Sequence, residues 1–469
     1  MIADLKPYPE YKESGSEWLG TVPTTWEVQN LRTLISKRTE RNRADLPLLS
    51  VAREKGVFVR SMTDEKENHN VIPEDLSNYK VARAGNLVIN KMKAWQGSMG
   101  IAPCDGIVSP AYFVFDLRIA NHAFGQRLLR SKPYVAHFGQ ASDGVRVGQW
   151  DLSIPGMRQI PVLLPPPEEQ AAIVRFLDWA NGRLERTIRA KRKVIALLNE
   201  QKQAIIHRAV TRGLDPNVPL KPSGIPWLGD IPAHWELWRI SRFARVGNGS
   251  TPSRGKPAYW NGGTYPWLNS SQVNRDMIDS ADQFVTKSAL RECHLPIVPA
   301  GSVLVAITGQ GKTRGMSALL RIEATINQHI AFIAPRIPVA SPEFICLSLR
   351  AAYLQLRALS EDSGSTKGAI TCEDLKRFKL AIPPETEQTE LLRVVENETR
   401  ALSAAISRLE REIELLREYR TRLVADVVTG KLDVRAAAAQ LPEEVTSELA
   451  EDDVELDDAL ETADEEAEV

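Results

Sequence analysis

The densest run of chemistry-bearing residues in this 469-residue chain is Ala306-Ile-Thr-Gly-Gln-Gly-Lys312-Thr313, which follows the β-like run Ser302-Val-Leu-Val-Ala306. It fits a loosened phosphate-loop pattern, in which glycine-rich backbone N–H groups cradle phosphates, the lysine reaches the terminal phosphates and the threonine hydroxyl holds magnesium. Such a loop must open a helix, and Arg314-Gly-Met-Ser makes a poor helix start. No apolar strand ending in Asp clearly offers a magnesium ligand. The alternative chemistry is contact with nucleic acid. Gln310, Lys312, Thr313 and Arg314 here, and Lys91, Lys93, Gln96 and Ser98 earlier in the chain, can meet phosphates as point charges or bond base edges, where Gln suits adenine and Arg or Lys suits guanine. Two further glycine turns, Ser142-Asp-Gly-Val-Arg146 and Ser363-Gly-Ser365-Thr366-Lys367, carry one cation each and can offer backbone N–H groups to a phosphate. An ordinary polar turn is the competing account of every one of these segments.

Other site chemistries find little support. Cys104, Cys293, Cys346 and Cys372 form no Cys-x-x-Cys pair, and His294 alone adjoins a cysteine, so neither a zinc site nor a disulfide framework is indicated. The chain carries no Asp/Asn-Pro-Pro-Tyr/Phe motif for amino-methyl transfer and no glycine-rich strand-turn suited to S-adenosylmethionine. The formal charge of -1 conceals a segregation: fourteen of the 60 acidic residues lie in 442–469, leaving 59 basic against 46 acidic side chains in the remainder. That is a polyanion-binding balance with a separate acidic tail. No apolar run approaches a membrane span, and the opening residues, with Asp4, Lys6 and two prolines, do not read as a leader, so a cytosolic location is expected.

The elements that must position these residues repeat. Gly15-Ser-Glu-Trp-Leu-Gly-Thr-Val-Pro-Thr-Thr-Trp-Glu-Val28 matches Gly224-Ile-Pro-Trp-Leu-Gly-Asp-Ile-Pro-Ala-His-Trp-Glu-Leu237 at seven of fourteen positions without a gap. Pro166-Pro-Glu-Glu-Gln170 faces Pro383-Pro-Glu-Thr-Glu-Gln388. Each repeat therefore begins with short β-rich runs broken by Gly, Pro and Asn, and ends in a proline-free stretch of helical periodicity. In the second such stretch Leu402, Ile406, Leu409, Ile413, Leu416 and Leu423 step as a heptad seam interrupted only by Arg420. In the first, Leu184, Ile188, Ile195, Leu198 and Ile205 occupy the matched positions, with Lys191 and Lys202 as lapses. Two matched long helices favour each other as partners, and an antiparallel pair is the simplest packing. The Trp-rich motifs read as core anchors rather than stacking platforms.

In its order of motifs the chain resembles the specificity subunits of type I restriction-modification systems. The residues that carry the likeness are Tyr8-Pro-Glu-Tyr-Lys-Glu-Ser-Gly15, Trp18-Leu-Gly20, Pro23-Thr-Thr-Trp26 and the strand-end motifs Leu164-Pro-Pro-Pro-Glu-Glu-Gln170 and Ile382-Pro-Pro-Glu-Thr-Glu-Gln388, together covering about 1–435. The resemblance implies an α+β fold with two target-recognition domains (1–167 and 214–384), joined by a long antiparallel coiled-coil pair (168–213 and 385–430), as a pseudo-twofold internal repeat. An acidic tail, 436–469, expected to be disordered, falls outside the family pattern. The resemblance further implies a non-catalytic subunit in the bacterial or archaeal cytoplasm that reads a bipartite target on double-stranded DNA. It would dock two methyltransferase subunits and, through them, restriction and translocase subunits. Those partners would hold S-adenosylmethionine, ATP and magnesium, and this chain would bind no cofactor. Two rival readings stay open at this point: a P-loop ATPase acting on DNA, which ATP hydrolysis by the purified chain would reveal, and a purely structural helical adaptor, which would lack salt-sensitive DNA binding.

Overall fold

The computed structural model describes residues 5–60, 75–146, 149–309, 312–361 and 368–442. Two compact units emerge among the described residues, the first from those up to Lys191 together with those from Glu410 to Pro442, and the second from Arg192–Leu409. Both boundaries fall inside the two long helices, so each unit owns one stretch of either helix.

The first unit is built on a four-stranded antiparallel sheet of β1 (Ile35–Lys37), β2 (Leu87–Asn90), β3 (Met99–Ile101) and β4 (Tyr112–Leu117), in the order β1-β4-β2-β3. The run Leu87-Val-Ile is uniformly apolar because both faces of β2 are covered: Leu87 and Ile89 face the main core with Phe124, Leu128, Phe138 and Phe176, whereas Val88 faces a smaller core with Leu49, Val51 and Val57. The second unit repeats this plan with β5 (Ala244–Asn248), β6 (Met277–Ile278), β7 (Val303–Ala306), β8 (Ser317–Leu320) and β9 (Ile330–Pro335), in the order β5-β9-β7-β8-β6. Here too the alternation is two-sided, with Val303 and Val305 in one core and Leu304 and Ala306 in the other.

A second strand pair in each unit leads into the long helices. Glu27–Asn30 pairs with Pro161–Leu164, and Glu236–Arg239 pairs with Lys379–Ile382. The paired motifs Pro166-Pro-Glu-Glu-Gln170 and Pro383-Pro-Glu-Thr-Glu-Gln388 are the joint. Glu169 is buried and accepts from Trp26 Nε1 at 2.9 Å and Tyr8 Oη at 2.6 Å, while Glu387 accepts from Trp235 Nε1 at 3.1 Å. The neighbouring glutamines also act alike: Gln170 Nε2 donates to Pro165 O and its Oε1 accepts from Asn121 N, and Gln388 does the same with Pro383 O and Ser341 N. Asn121 and Ser341 are helix N-caps, so each glutamine ties the start of a long helix to the start of a domain helix. Trp26 and Trp235 are fully buried, as anchors should be.

The long helices are α1 (Pro167–Arg212) and α2 (Glu385–Val428). Within the first unit Glu185 meets Arg420 at 2.7 Å and Lys191 meets Glu412 at 2.5 Å; within the second, Arg208 meets Glu398 at 3.7 Å. In each unit the helices run antiparallel, and the seam lapses Lys191 and Arg420 are filled by acids of the other helix. Leu184, Ile188, Ile406, Ile413 and Leu423 are buried, while Ile195, Leu198, Ile205, Leu402, Leu409 and Leu416 are half-buried.

The stretch expected to open a disordered tail instead packs. Arg435–Ala439 is helical, and Ala438 and Leu441 are buried in or against the first core, because Asp433 N bonds Lys6 O at 2.8 Å and Arg175 Nη2 donates to Leu441 O at 2.6 Å. The acidic residues beyond, 443–469, lie outside the described residues.

Candidate nucleic-acid interface

In either unit, antiparallel pairing brings several loops to one end of the main sheet. In the first, Asn90 at the end of β2 faces Tyr112 at the start of β4, and Ile89 faces Met99 at the start of β3. Residues 91–98 leave from that end, and the hairpin of Ser142–Arg146 and Gln149–Leu152 lies against them: Leu152 N bonds Lys91 O at 2.9 Å, Lys91 Nζ meets Asp151 Oδ2 at 3.0 Å, and the rings of Trp95 and Trp150 are 5.0 Å apart. Two segments chosen separately from the sequence thus form one surface. Lys93 is exposed and Gln96 half-buried on it, whereas Ser98 is buried and presents nothing to solvent. The side chain of Arg146 lies outside the described part of the structure.

The sequence reading missed three cations at this end. Lys80 Nζ donates to Tyr112 O at 2.5 Å, and Arg41 bridges Lys80 through the backbone. The Lys80 ammonium is held below its ordinary pKa, first by burial and then by repulsion from Arg41, Lys37 and Lys91. Their neighbours are neutralised: Arg38 by Asp116 at 2.6 Å, Arg43 by Asp45 at 2.8 Å, and Arg83 by Glu40 and Asp105. Lys37 and Arg41 are exposed and have no carboxylate partner among the described residues. The basic run from Lys37 to Arg43 was the signal, but a run of charge does not say which members are already paired.

In the second unit the equivalent end carries Asn248, Ala306, Ser317 and Ile330, which register against one another through β5, β9, β7 and β8. Ile307 O accepts from Ile370 N at 2.8 Å, and Arg314 Nη1 donates to Gly368 O at 2.8 Å, so the glycine-rich loop packs against the segment after Lys367. Lys312 is exposed and Thr313 half-buried; Arg314 is buried and holds Gly368 rather than facing solvent. Gln310, Ser365, Thr366 and Lys367 lie outside the described residues. A polar string joins three loops here: Thr251 Oγ1 donates to Gln328 Oε1 at 2.5 Å, Gln328 Nε2 donates to His329 Nε2 at 3.1 Å, and His329 Nδ1 meets Thr308 Oγ1 at 2.6 Å. With Nε2 accepting, Nδ1 carries the proton and donates to Thr308. The string depends on Gly249, where a Cβ would fall 1.7 Å from Ile326 O.

This geometry removes the phosphate-loop reading. Val303–Ala306 and Ser317–Leu320 form an antiparallel hairpin, and Lys312 to Gly315 is a turn that opens no helix. A phosphate cradle needs the N-terminus of a helix behind its glycines, and none follows. Among the described residues no cluster of three or more His, Cys, Asp or Glu is placed to hold a metal, and no helix is long and apolar enough to cross a membrane.

What the ends of the sheets can do is offer cations and amides to a polyanion, a different set in each unit. Comparisons with known proteins agree in kind. Residues 232–415 match the family described as type I restriction modification DNA specificity domain. The chain is 23% identical over 282 residues to the type I restriction enzyme EcoR124I/EcoR124II specificity subunit of Escherichia coli, covering 58% of this chain and 63% of that one. It is 28% identical over 171 residues to the MjaIX specificity subunit of Methanocaldococcus jannaschii, covering 36% of this chain and 38% of that one. The matched stretches thus span less than two thirds of either relative. A solved structure described as the structural basis of complex assembly and conformational transition of the type I R-M system shares the fold, with a TM-score of 0.60 at 17% identity over 88% of this chain and 99% of its own. With its repeated strand-to-helix joints and its paired long helices, the chain is similar to the type I restriction-modification specificity subunits, most directly over residues 232–415.

Proposed function

We propose that this chain is the DNA-reading subunit of a type I restriction-modification complex, with one half of a bipartite target read by each unit. The observation that carries the reading is the pairing of a shared scaffold with unshared loops. Both units close the same strand-to-helix joint through Trp, Glu and Gln, yet at the ends of their sheets one presents Lys37, Arg41 and Lys93, and the other Thr251, Lys312, Gln328 and His329. Different donors at equivalent places read different bases. The chain performs no chemistry itself. S-adenosylmethionine, ATP and magnesium act in the partner subunits, two methyltransferases and the restriction subunits that join through them. Val194 and Leu197 on α1, and Leu415 and Tyr419 on α2, are exposed apolar side chains at helical spacing, suited to docking such partners.

The test is exchange of residues 30–150 for the corresponding segment of a related subunit, followed by mapping of methylated sites in the assembled complex. One half-site should change and the other persist. Loss of selectivity at both half-sites, or none of the salt-sensitive DNA binding that a helical adaptor would lack, defeats the reading.

A further inference from the structure

The connection leaving β5 is longer than its counterpart in the first unit, residues 249–264 against 38–48 between flanking strands, and it carries an arginine in an unusual setting. The Arg254 guanidinium lies 3.8 Å from the ring centre of Trp260 and 5.1 Å from that of Trp267. The two indoles meet edge to face at 5.2 Å, and each spends its N–H on the backbone of the same connection, Trp260 on Ser253 O at 3.1 Å and Trp267 on Ser250 O at 3.2 Å. Arg254 Nη2 donates to Gln283 Oε1 at 2.6 Å. The guanidinium plane is therefore fixed on one side by an aromatic face and at one corner by an amide.

Its neighbour behaves differently. Lys256 Nζ closes onto Glu292 Oε2 at 2.8 Å and Tyr259 Oη at 2.8 Å, a self-contained triad whose charge is cancelled. Arg254, two residues away on a stretch where 253–258 are all exposed, has no carboxylate partner among the described residues. A guanidinium that served only to latch the loop would gain most from an acid in this position. Instead it is oriented by neutral groups and keeps its full charge, with four of its five N–H donors uncommitted to Gln283. Thr251, three residues earlier, ties the connection to Gln328, His329 and Thr308 at the end of the sheet.

We propose that Arg254, stacked on Trp260 and steered by Gln283, is a DNA-contacting side chain of the second unit that takes a bidentate acceptor, either the O6/N7 edge of guanine or a backbone phosphate. This rests on the reading of the chain as a DNA-specificity subunit. The stack supplies the orientation that bidentate recognition needs, and lysine cannot substitute for it because an ammonium has no fork.

The experiment uses the full chain, co-expressed with a methyltransferase subunit of its own system, as wild type, R254A and R254K. Affinity is measured across 50–200 mM salt on a duplex selected by the wild type from a randomised pool, and on duplexes in which each pair of the target is replaced in turn. Both variants should bind the selected duplex at least about tenfold more weakly. If guanine is the acceptor, discrimination at one G·C pair of a single half-site vanishes in both variants. If phosphate is the acceptor, R254A weakens binding equally on all duplexes and lowers the salt slope by about one, and R254K restores that slope. R254K keeps the stem and the charge, so it remains informative should R254A unfold. A wild type that selects DNA beside folded variants that bind and select identically overturns the role of Arg254 alone. A wild type with no selective binding overturns the specificity reading, and this role with it.

Discussion

Lys37 and Arg41 sit beside three arginines that have already closed onto acids, and that difference decides where DNA charge is expected to go. Each phosphate neutralised releases condensed counterions, so a cation already paired internally contributes less than an unpaired one. Replacing both Lys37 and Arg41 by alanine should therefore weaken binding similarly on all sequences and lower the slope of log affinity against log salt by about two, as titrations between 50 and 200 mM salt would record. Replacing Arg43, which Asp45 holds, should do much less. A second residue-scale expectation concerns Gly430, just past the end of α2. It has φ +76°, and a Cβ there would lie 2.6 Å from Pro23 Cδ and 3.2 Å from the Trp26 ring. Gly430→Ala should cost about 1–3 kcal/mol in urea unfolding, because left-handed backbone and a crowded anchor add. An unchanged midpoint would mean the helix end shifts freely.

At the scale of the element, α1 and α2 use one face for each other and leave other apolar side chains uncovered. Ile188 and Ile413 are buried in the first unit, whereas Leu415, two residues from Ile413, is 64% exposed. Ile188→Ala or Ile413→Ala should destabilise the chain by about 2–5 kcal/mol, the usual cost of a core truncation. Leu415→Ala should change stability by no more than about 0.5 kcal/mol and instead weaken co-purification with the methyltransferase subunit. Equal destabilisation by Leu415→Ala and Ile413→Ala would show that the seam has been misplaced. The salt bridges from Lys191 and Arg420 explain how a heptad with charged lapses still pairs: each charge meets an acid on the other helix while its stem covers apolar surface.

For the whole molecule the governing feature is charge segregation, 59 basic against 46 acidic residues outside a terminal stretch holding fourteen acids and no base. In the DNA-reading role proposed above, those acids would compete with phosphate at a range set by screening, about 10 Å at 0.1 M salt and 3 Å at 1 M. A chain lacking 443–469 should bind DNA more tightly than the full chain at low salt, with the difference shrinking as salt rises. Equal affinities at low salt would remove the tail from the account of binding.

The sequence by itself determined the repeat, the α+β plan, the two long helices and their seam, because these are written in periodicity and in a joint whose residues recur at fixed spacing. It also placed the candidate segments around Lys91 and Lys312 on corresponding loops. Only the tertiary structure decided which side chains are available. Ser98 and Arg314 have the right chemistry but are buried, Arg314 holding Gly368, while Lys80 joins Lys37 and Arg41 from a separate segment that no local pattern links to theirs. The glycine-rich loop shows the same division. Its composition admits a phosphate cradle, but backbone N–H groups converge on a phosphate only when a helix follows, and the strand Ser317–Leu320 follows instead. The packing of residues 436–442 was likewise settled by partners distant in sequence, Lys6 and Arg175, whose contacts composition does not encode.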